Sequence, residues 1–266
     1  MERFLVDTHV HLHACFKLRA FLDAGHSNLR RFGATVAGAA PSGVLVFTEG
    51  AKERNFGKLE DGSLVDESGR WTFAPTGDGI SILASGNEGE RLLILAGRQV
   101  VSRERLEVLL LGNRSEAPDG APFHEVLAAA AAGSGVAAVP WGFGKWWLSR
   151  GRVVREGLEA TAPSSVFLAD NGGRPRGLAL PRLMRWALDR GHGLLAGSDP
   201  LPLPRQVSRV GSYGNVFSGN VSGANPGRDV VRLIESARGA APTFGSRDSF
   251  TRFVRAQTGI RVSRQV

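Results

Sequence analysis

The chain has 266 residues, of which 42% are hydrophobic and 22% charged, a composition that supplies a large core and excludes a disordered protein. No apolar run reaches the roughly 18 residues of a membrane span, and a single cysteine, Cys15, excludes an internal disulfide. The net charge of +8 suits an acidic partner, but the basic residues are scattered through "RERLEVLLLGNR", "RPRGLALPRLMR" and "RGRVVRE", so a small anionic substrate is expected and nucleic acid is set aside.

The N-terminal "MERFLVD" enters a strand without a charged-then-apolar leader, from which a cytoplasmic location is expected. Val6 to Phe16 then reads "VDTHVHLHACF". Alternate residues of a strand share a face, so Asp7, His9, His11 and His13 are expected together, neighbours about 6.6 Å apart. A His-x-His pair flanked by a carboxylate is a ligand set for a metal ion; the competing reading is a half-buried strand whose polar face happens to carry histidines. Cys15 is expected to be a small buried residue.

"KLRAFLDAGHSNLRRFG" has helical spacing and ends on Gly33, and "GVLVFTEG" suits a buried parallel strand ending at Thr48 and Glu49. From Phe56 to Gly97, Gly, Asp, Asn and Pro break the sequence into short β-like pieces, read as a hairpin-rich insertion at about 52–95. "RLEVLLLGN" follows "LLILAGRQVVS" so closely that the two are expected to pair antiparallel. Helix "APFHEVLAAAAAGSG", strand "VAAVPWG", "REGLEATAP", strand "VFLADNG", helix "LALPRLMRWALDRGHG" and strand "LLAGSDP" then alternate. Alternation implies a parallel sheet or barrel with its functional rim at the carboxyl ends of the strands. Gly211 to Gly227 reads as a long Gly/Ser/Asn loop, and two amphipathic helices, "DVVRLIESARG" and "SFTRFVRAQTG", form the tail. No repeat or low-complexity linker divides the chain, so 1–266 is read as one domain.

Polar residues gather where these strands end: His9 and His11, Glu49, Gln99, Glu107, Trp141 with Lys145, Asp170 with Asn171, and Ser198 with Asp199. In a barrel such positions converge. In order and context, "DTHVHLH", "FTEG", "LAGRQVVSRERLEVLLLG", "AVPWG", "FLADNGGRP" and "AGSDPL" resemble the motifs of the PHP (polymerase and histidinol phosphatase) family, distantly related to the amidohydrolases, over residues 4–203. The resemblance implies an α/β fold, a distorted (β/α)7 TIM-like barrel, and hydrolysis of phosphoesters by a cluster of up to three divalent metals.

Carried over onto this chain, His9 and His11 match the opening pair and Asp199 the late aspartate. Other positions depart from the family pattern. Thr48-Glu49-Gly50 stands where Thr-Asp-His is expected and Gln99 where a bridging glutamate is; Glu107, Trp141 and Leu201 stand where histidines are. An amide cannot neutralise two cations as a carboxylate does. The altered set therefore implies one ion, zinc, iron or manganese, held by His9, His11 and Asp199 with Gln99 or water completing the shell.

Asp199 doubles as a candidate proton acceptor and Glu49 is a second candidate base. Lys145 is placed to stabilise developing negative charge, or else is a solvated loop lysine; Arg174 is placed to receive a phosphate or carboxylate, or else lies on the surface. His26 and His192 read as structural, and His124 as without a role. Two functions fit: a mononuclear metal-dependent hydrolase acting on a phosphoester or amide-like bond of a small molecule, and a barrel that has lost catalysis and serves as a binding or regulatory module.

Overall fold

A computed structural model describes residues 2–33, 43–115, 117–237 and 239–263 of the chain. The opening strand, β1 (Glu2–Val10), is followed by α1 (Leu18–Arg31), which packs Phe21, Leu22 and Leu29 inward, and by β2 (Gly43–Glu49), buried over nearly its whole length. The insertion holds a short helix that the hairpin reading did not anticipate, α2 (Asn55–Glu60), and then the hairpin β3 (Trp71–Pro75) and β4 (Ser81–Gly86). β5 (Arg91–Val101) pairs parallel with β2 and antiparallel with β6 (Glu107–Leu111), the pairing expected from their closeness in sequence.

Next come α3 (Phe123–Ala132), β7 (Val136–Pro140), α4 (Ser149–Glu159), β8 (Val166–Asn171), α5 (Arg182–Leu188) and β9 (Leu194–Gly197). The segment read as a Gly/Ser/Asn loop instead contains a strand, β10 (Tyr213–Gly219), antiparallel to β1. Its small residues allow this: a side chain on Gly214 would lie 2.3 Å from the Val6 carbonyl oxygen. After α6 (Pro226–Glu235), β11 (Thr243–Gly245) extends β10, and α7 (Phe250–Ser263) ends the described chain.

The strand order is β11-β10-β1-β2-β5-β6-β7-β8-β9. Among the described strands only β1–β2, β2–β5, β7–β8 and β8–β9 pair parallel, so the sheet is a barrel-like α/β structure whose strands mostly do not alternate with helices as a regular (β/α)7 barrel would require. Every strand on the path from β10 to β9 contributes to one apolar cluster, Phe4 and Val6 from β1 through Leu195 from β9, and Val230, Val231 and Ile234 of α6 join it. Leu5, Leu45 and Phe47, on alternate positions of the same strands, pack with α1 in a second cluster.

The barrel nearly closes because β9 comes back against β1. Thr8 Oγ1 donates to the Ala196 carbonyl oxygen at 2.9 Å, and the Asp199 amide to that of His9 at 2.8 Å. Gly197 makes this approach possible: a Cβ there would lie 2.4 Å from His9 Cβ. Buried Asn215 of β10 braces the same seam, its Oδ1 accepting from the Ala196 amide at 2.6 Å. Among the described residues no helix is long and apolar enough to cross a membrane.

Candidate metal centre

β1 loses its regular register between Asp7 and Val10, and this separates residues that strict alternation would keep on one face. Asp7 turns into the seam, where its carboxylate accepts from the amides of Ser198 at 2.8 Å and Gly211 at 2.9 Å. Burial pushes its pKa up to about 7 against those amides. His9 instead meets His11, and His11 and His13 lie beyond the end of the strand. The rings of His9, His11 and His13 follow one another with centroids 5.0 and 5.2 Å apart.

His9 Nε2 and His11 Nε2 face each other at 3.0 Å, and Asp199 Oδ1 lies 3.7 and 3.8 Å from them. Ligand bonds to zinc are about 2.0–2.2 Å long, so two ligands of one ion lie at most about 4 Å apart. All three separations meet that limit, and the cluster could hold a metal ion. Gln99 Oε1 is 3.3 Å from His9 Nε2, placing a neutral oxygen beside it. His9 Nδ1 is buried without a hydrogen-bond partner among the described residues.

The electrostatics favour a neutral imidazole at His9 and an ionised Asp199. Burial lowers the His9 pKa. At Asp199 burial works against the charge, but the positive groups around it, His11 and Lys145 among them, outweigh it and hold the carboxyl below the usual range. Asp199 also has a left-handed backbone, φ 45°, which aspartate tolerates better than most residues. Asn171 fixes its other oxygen: Nδ2 donates to Asp199 Oδ2 at 3.1 Å and to the Trp141 carbonyl oxygen at 2.7 Å.

Glu53, on the turn before α2, was not singled out in the sequence. Its Oε2 lies 3.8 Å from His11 Nδ1 and its Oε1 3.6 Å from His13 Nδ1, and Oε2 accepts from the Gly50 amide at 2.7 Å. Burial opposes its charge, but the two imidazoles and the amide prevail and hold its pKa below the usual range. In return, Glu53 raises the His11 pKa against the effect of burial. A carboxylate behind a ligating imidazole is the usual support of a protein metal site. The only hint in sequence was a second acid four residues after Glu49.

Glu49 itself lies elsewhere. Its Oε1 accepts from the Phe56 amide at 2.9 Å and so caps the start of α2, and burial raises its pKa. Arg174 is buried and bidentate on Asp170, at 2.7 and 2.8 Å, with Nη1 on the Leu178 carbonyl oxygen at 2.7 Å. It is therefore a strut of the loop after β8 and does not line the cleft. Lys145 does reach the centre, paired with Glu107. Both line a cleft of about 740 Å³ with His11, His13, Glu53, Gln99 and Asp199.

Of the remaining residues, His13 Nε2 contacts the Pro200 carbonyl oxygen at 2.8 Å. His192 is buried and contacts that of Val166 at 2.9 Å, as a structural histidine should. His124 is exposed. Cys15, expected to be buried, is also exposed, because the chain has already turned out of β1.

No family model matches the chain and no curated protein does. Solved structures do. PsfC from Pseudomonas syringae PB-5123 is 14% identical over 100% of this chain and 99% of its own, with a TM-score of 0.56. The lesion-specific endonuclease PfuEndoQ from Pyrococcus furiosus is 14% identical over 90% of this chain and 57% of its own, with a TM-score of 0.51. An Endonuclease Q complex with a 27-mer duplex substrate, an abasic lesion at its active site, is 12% identical over 90% of this chain and 58% of its own, with a TM-score of 0.50. At these identities the likeness is one of fold, consistent with a PHP-like domain. The expectation of a small anionic substrate is not borne out by these neighbours: two of them are endonucleases, one solved with a duplex substrate.

Proposed function

We propose that the chain is a metal-dependent phosphodiesterase of the nuclease type, its single divalent ion held by His9, His11 and Asp199 with Gln99 at the edge of the shell. The convergence of these side chains from opposite ends of the sequence carries the reading. The phosphodiester and nucleic-acid class follows the endonuclease neighbours and agrees with the net charge of +8. A single ion accords with Gln99, Trp141 and Leu201 standing where a larger cluster needs a carboxylate and imidazoles.

When bound, such an ion supplies Lewis acidity toward a phosphoryl oxygen and makes a ligated water acidic. The chain's own groups do the rest. The Glu53 carboxylate, 3.8 Å from His11 Nδ1, favours the proton on that nitrogen, which leaves the Nε2 lone pair facing His9 and Asp199. Asn171 keeps Asp199 turned toward the imidazoles. The Lys145 ammonium, steadied by Glu107, is a cation available inside the cleft, with Lys52, for charge that develops on a transferring phosphoryl group.

Cleavage of labelled single-stranded and duplex oligonucleotides by protein loaded with zinc, manganese or iron tests the proposal. Activity that disappears in His9→Ala with His11→Ala and in Asp199→Asn supports it. A loaded protein that binds metal and cleaves no phosphodiester refutes the catalytic reading and leaves a binding module.

A further inference from the structure

The loop between β7 and α4 faces two ways. Lys145 points into the cleft toward Glu107, while Phe143 and Trp147, two residues to either side, stand outside it, 46% and 61% exposed. Their rings meet edge to face with centroids 5.2 Å apart, and Phe143 meets Phe253 of α7 in the same manner at 5.0 Å. Phe250, also exposed, lies 6.3 Å from Phe253. The far end of α7 brings Ile260 to the cleft wall. One aromatic ledge is thus built from the two segments that also wall the candidate metal centre.

Exposed aromatic rings grouped in this way mark a binding surface, because soluble proteins otherwise cover them. The loop is also held in an unfavourable shape. Leu148 has φ 55° and ψ −130°, a region that non-glycine residues avoid. Arg150 fastens the loop from α4, its Nη2 donating to the Gly144 carbonyl oxygen at 2.8 Å.

Charge selects the occupant. Trp141 to Ser149 and Ser249 to Ile260 contain no acidic residue, and Lys145, Arg150, Arg152, Arg252 and Arg255 lie among or beside the aromatics in sequence; of the flanking acids, Glu159 pairs with Arg155 and Asp248 with Arg209. Such a rim sets like charge against like in a symmetric pairing with a second copy. It attracts a polyanion instead, and rings among arginines are the arrangement on which unpaired bases stack while cations follow the phosphates.

Resting on the nucleic-acid reading above, the geometry points to Phe143 and Trp147 as a stacking ledge for an unpaired base beside the phosphate bound in the cleft. The substrate class is then a nucleic acid with an unpaired or extruded base, in preference to continuous duplex.

Fluorescence anisotropy with a labelled single-stranded DNA oligonucleotide, and with one of equal length made only of abasic sites, tests this. Phe143→Ala with Trp147→Ala is expected to weaken binding of the natural strand about tenfold or more and to leave the abasic strand unaffected. Trp147→Ala alone, a change in a largely solvated side chain, is expected to show most of that loss and guards against misfolding of the double variant. Equal loss on both strands, or no loss on either, overturns the ledge while leaving the nucleic-acid reading in place. A parent protein that is dimeric and becomes monomeric in the variant also overturns it, since the rings then form an interface between copies. A parent protein that binds neither strand refutes the nucleic-acid reading and the ledge together.

Discussion

The Asp199 amide donates to the carbonyl oxygen of His9 across 2.8 Å. This backbone bond, between residues 190 positions apart, brings the late carboxylate to the early imidazole pair. Its geometry depends on Gly197, where any side chain would displace His9. Gly197→Ala is expected to cost about 2–3 kcal/mol through overpacking, read from urea denaturation. It should also reduce the thermal stabilisation produced by added metal. Parental stability together with an undiminished metal response would show that the seam does not set the site.

Metal binding should depend on pH through His11. Folding raises its pKa, so the protonated imidazole adds stability that is fully present below the unfolded value of 6.5 and is lost as pH rises through the raised value. Metal takes the neutral imidazole, so its contribution runs the other way and grows across that same window. The metal-induced shift in Tm should therefore be larger at pH 8 than at pH 6. Glu53→Gln removes the group that raises the His11 pKa, and should move the midpoint of this change to lower pH. A midpoint unmoved by Glu53→Gln would remove Glu53 from the account.

Asn171 joins Asp199 to the Trp141 carbonyl. Asn171→Ala is expected to cost about 1 kcal/mol of stability by leaving that half-buried carbonyl unpaired, and to weaken metal binding about tenfold. Calorimetric titration with zinc measures the second effect. Unchanged affinity would mean that Asp199 holds its orientation without help.

Arg174 supplies a contrast. Arg174→Ala leaves Asp170 buried with, among the described residues, Tyr213 Oη at 3.1 Å and Arg247 at 4.0 Å as its side-chain partners, and is expected to cost about 3–5 kcal/mol. Metal affinity below the melting transition should be unchanged, because Arg174 does not line the cleft. A stable variant with altered substrate binding would return Arg174 to the site.

How much of this was legible in the sequence follows from the range of each interaction. His9, His11 and Asp199 could be chosen because their spacing and the order of the surrounding motifs are properties of the linear chain. Strands such as Val136–Pro140 and Val166–Asn171 were readable as continuous apolar runs, since both of their faces are buried. Tyr213–Gly219 was not, because its glycines and Asn215 resemble a loop until β1 and β9 are in place to bond them. Strict alternation places Asp7 with the histidines, and the break in register that moves it into the seam is set by the partner strand. Glu49 and Glu53 are equally acidic in sequence, and only the turn at Gly50 decides that the second meets the histidines while the first caps a helix.

Anomalous diffraction from crystals grown with zinc or manganese, recorded at the absorption edge of that metal, asks the decisive question directly. One strong peak is expected, bonded to His9 Nε2, His11 Nε2 and an Asp199 carboxylate oxygen. A peak at other residues, or no peak in crystals soaked at saturating metal, would contradict it.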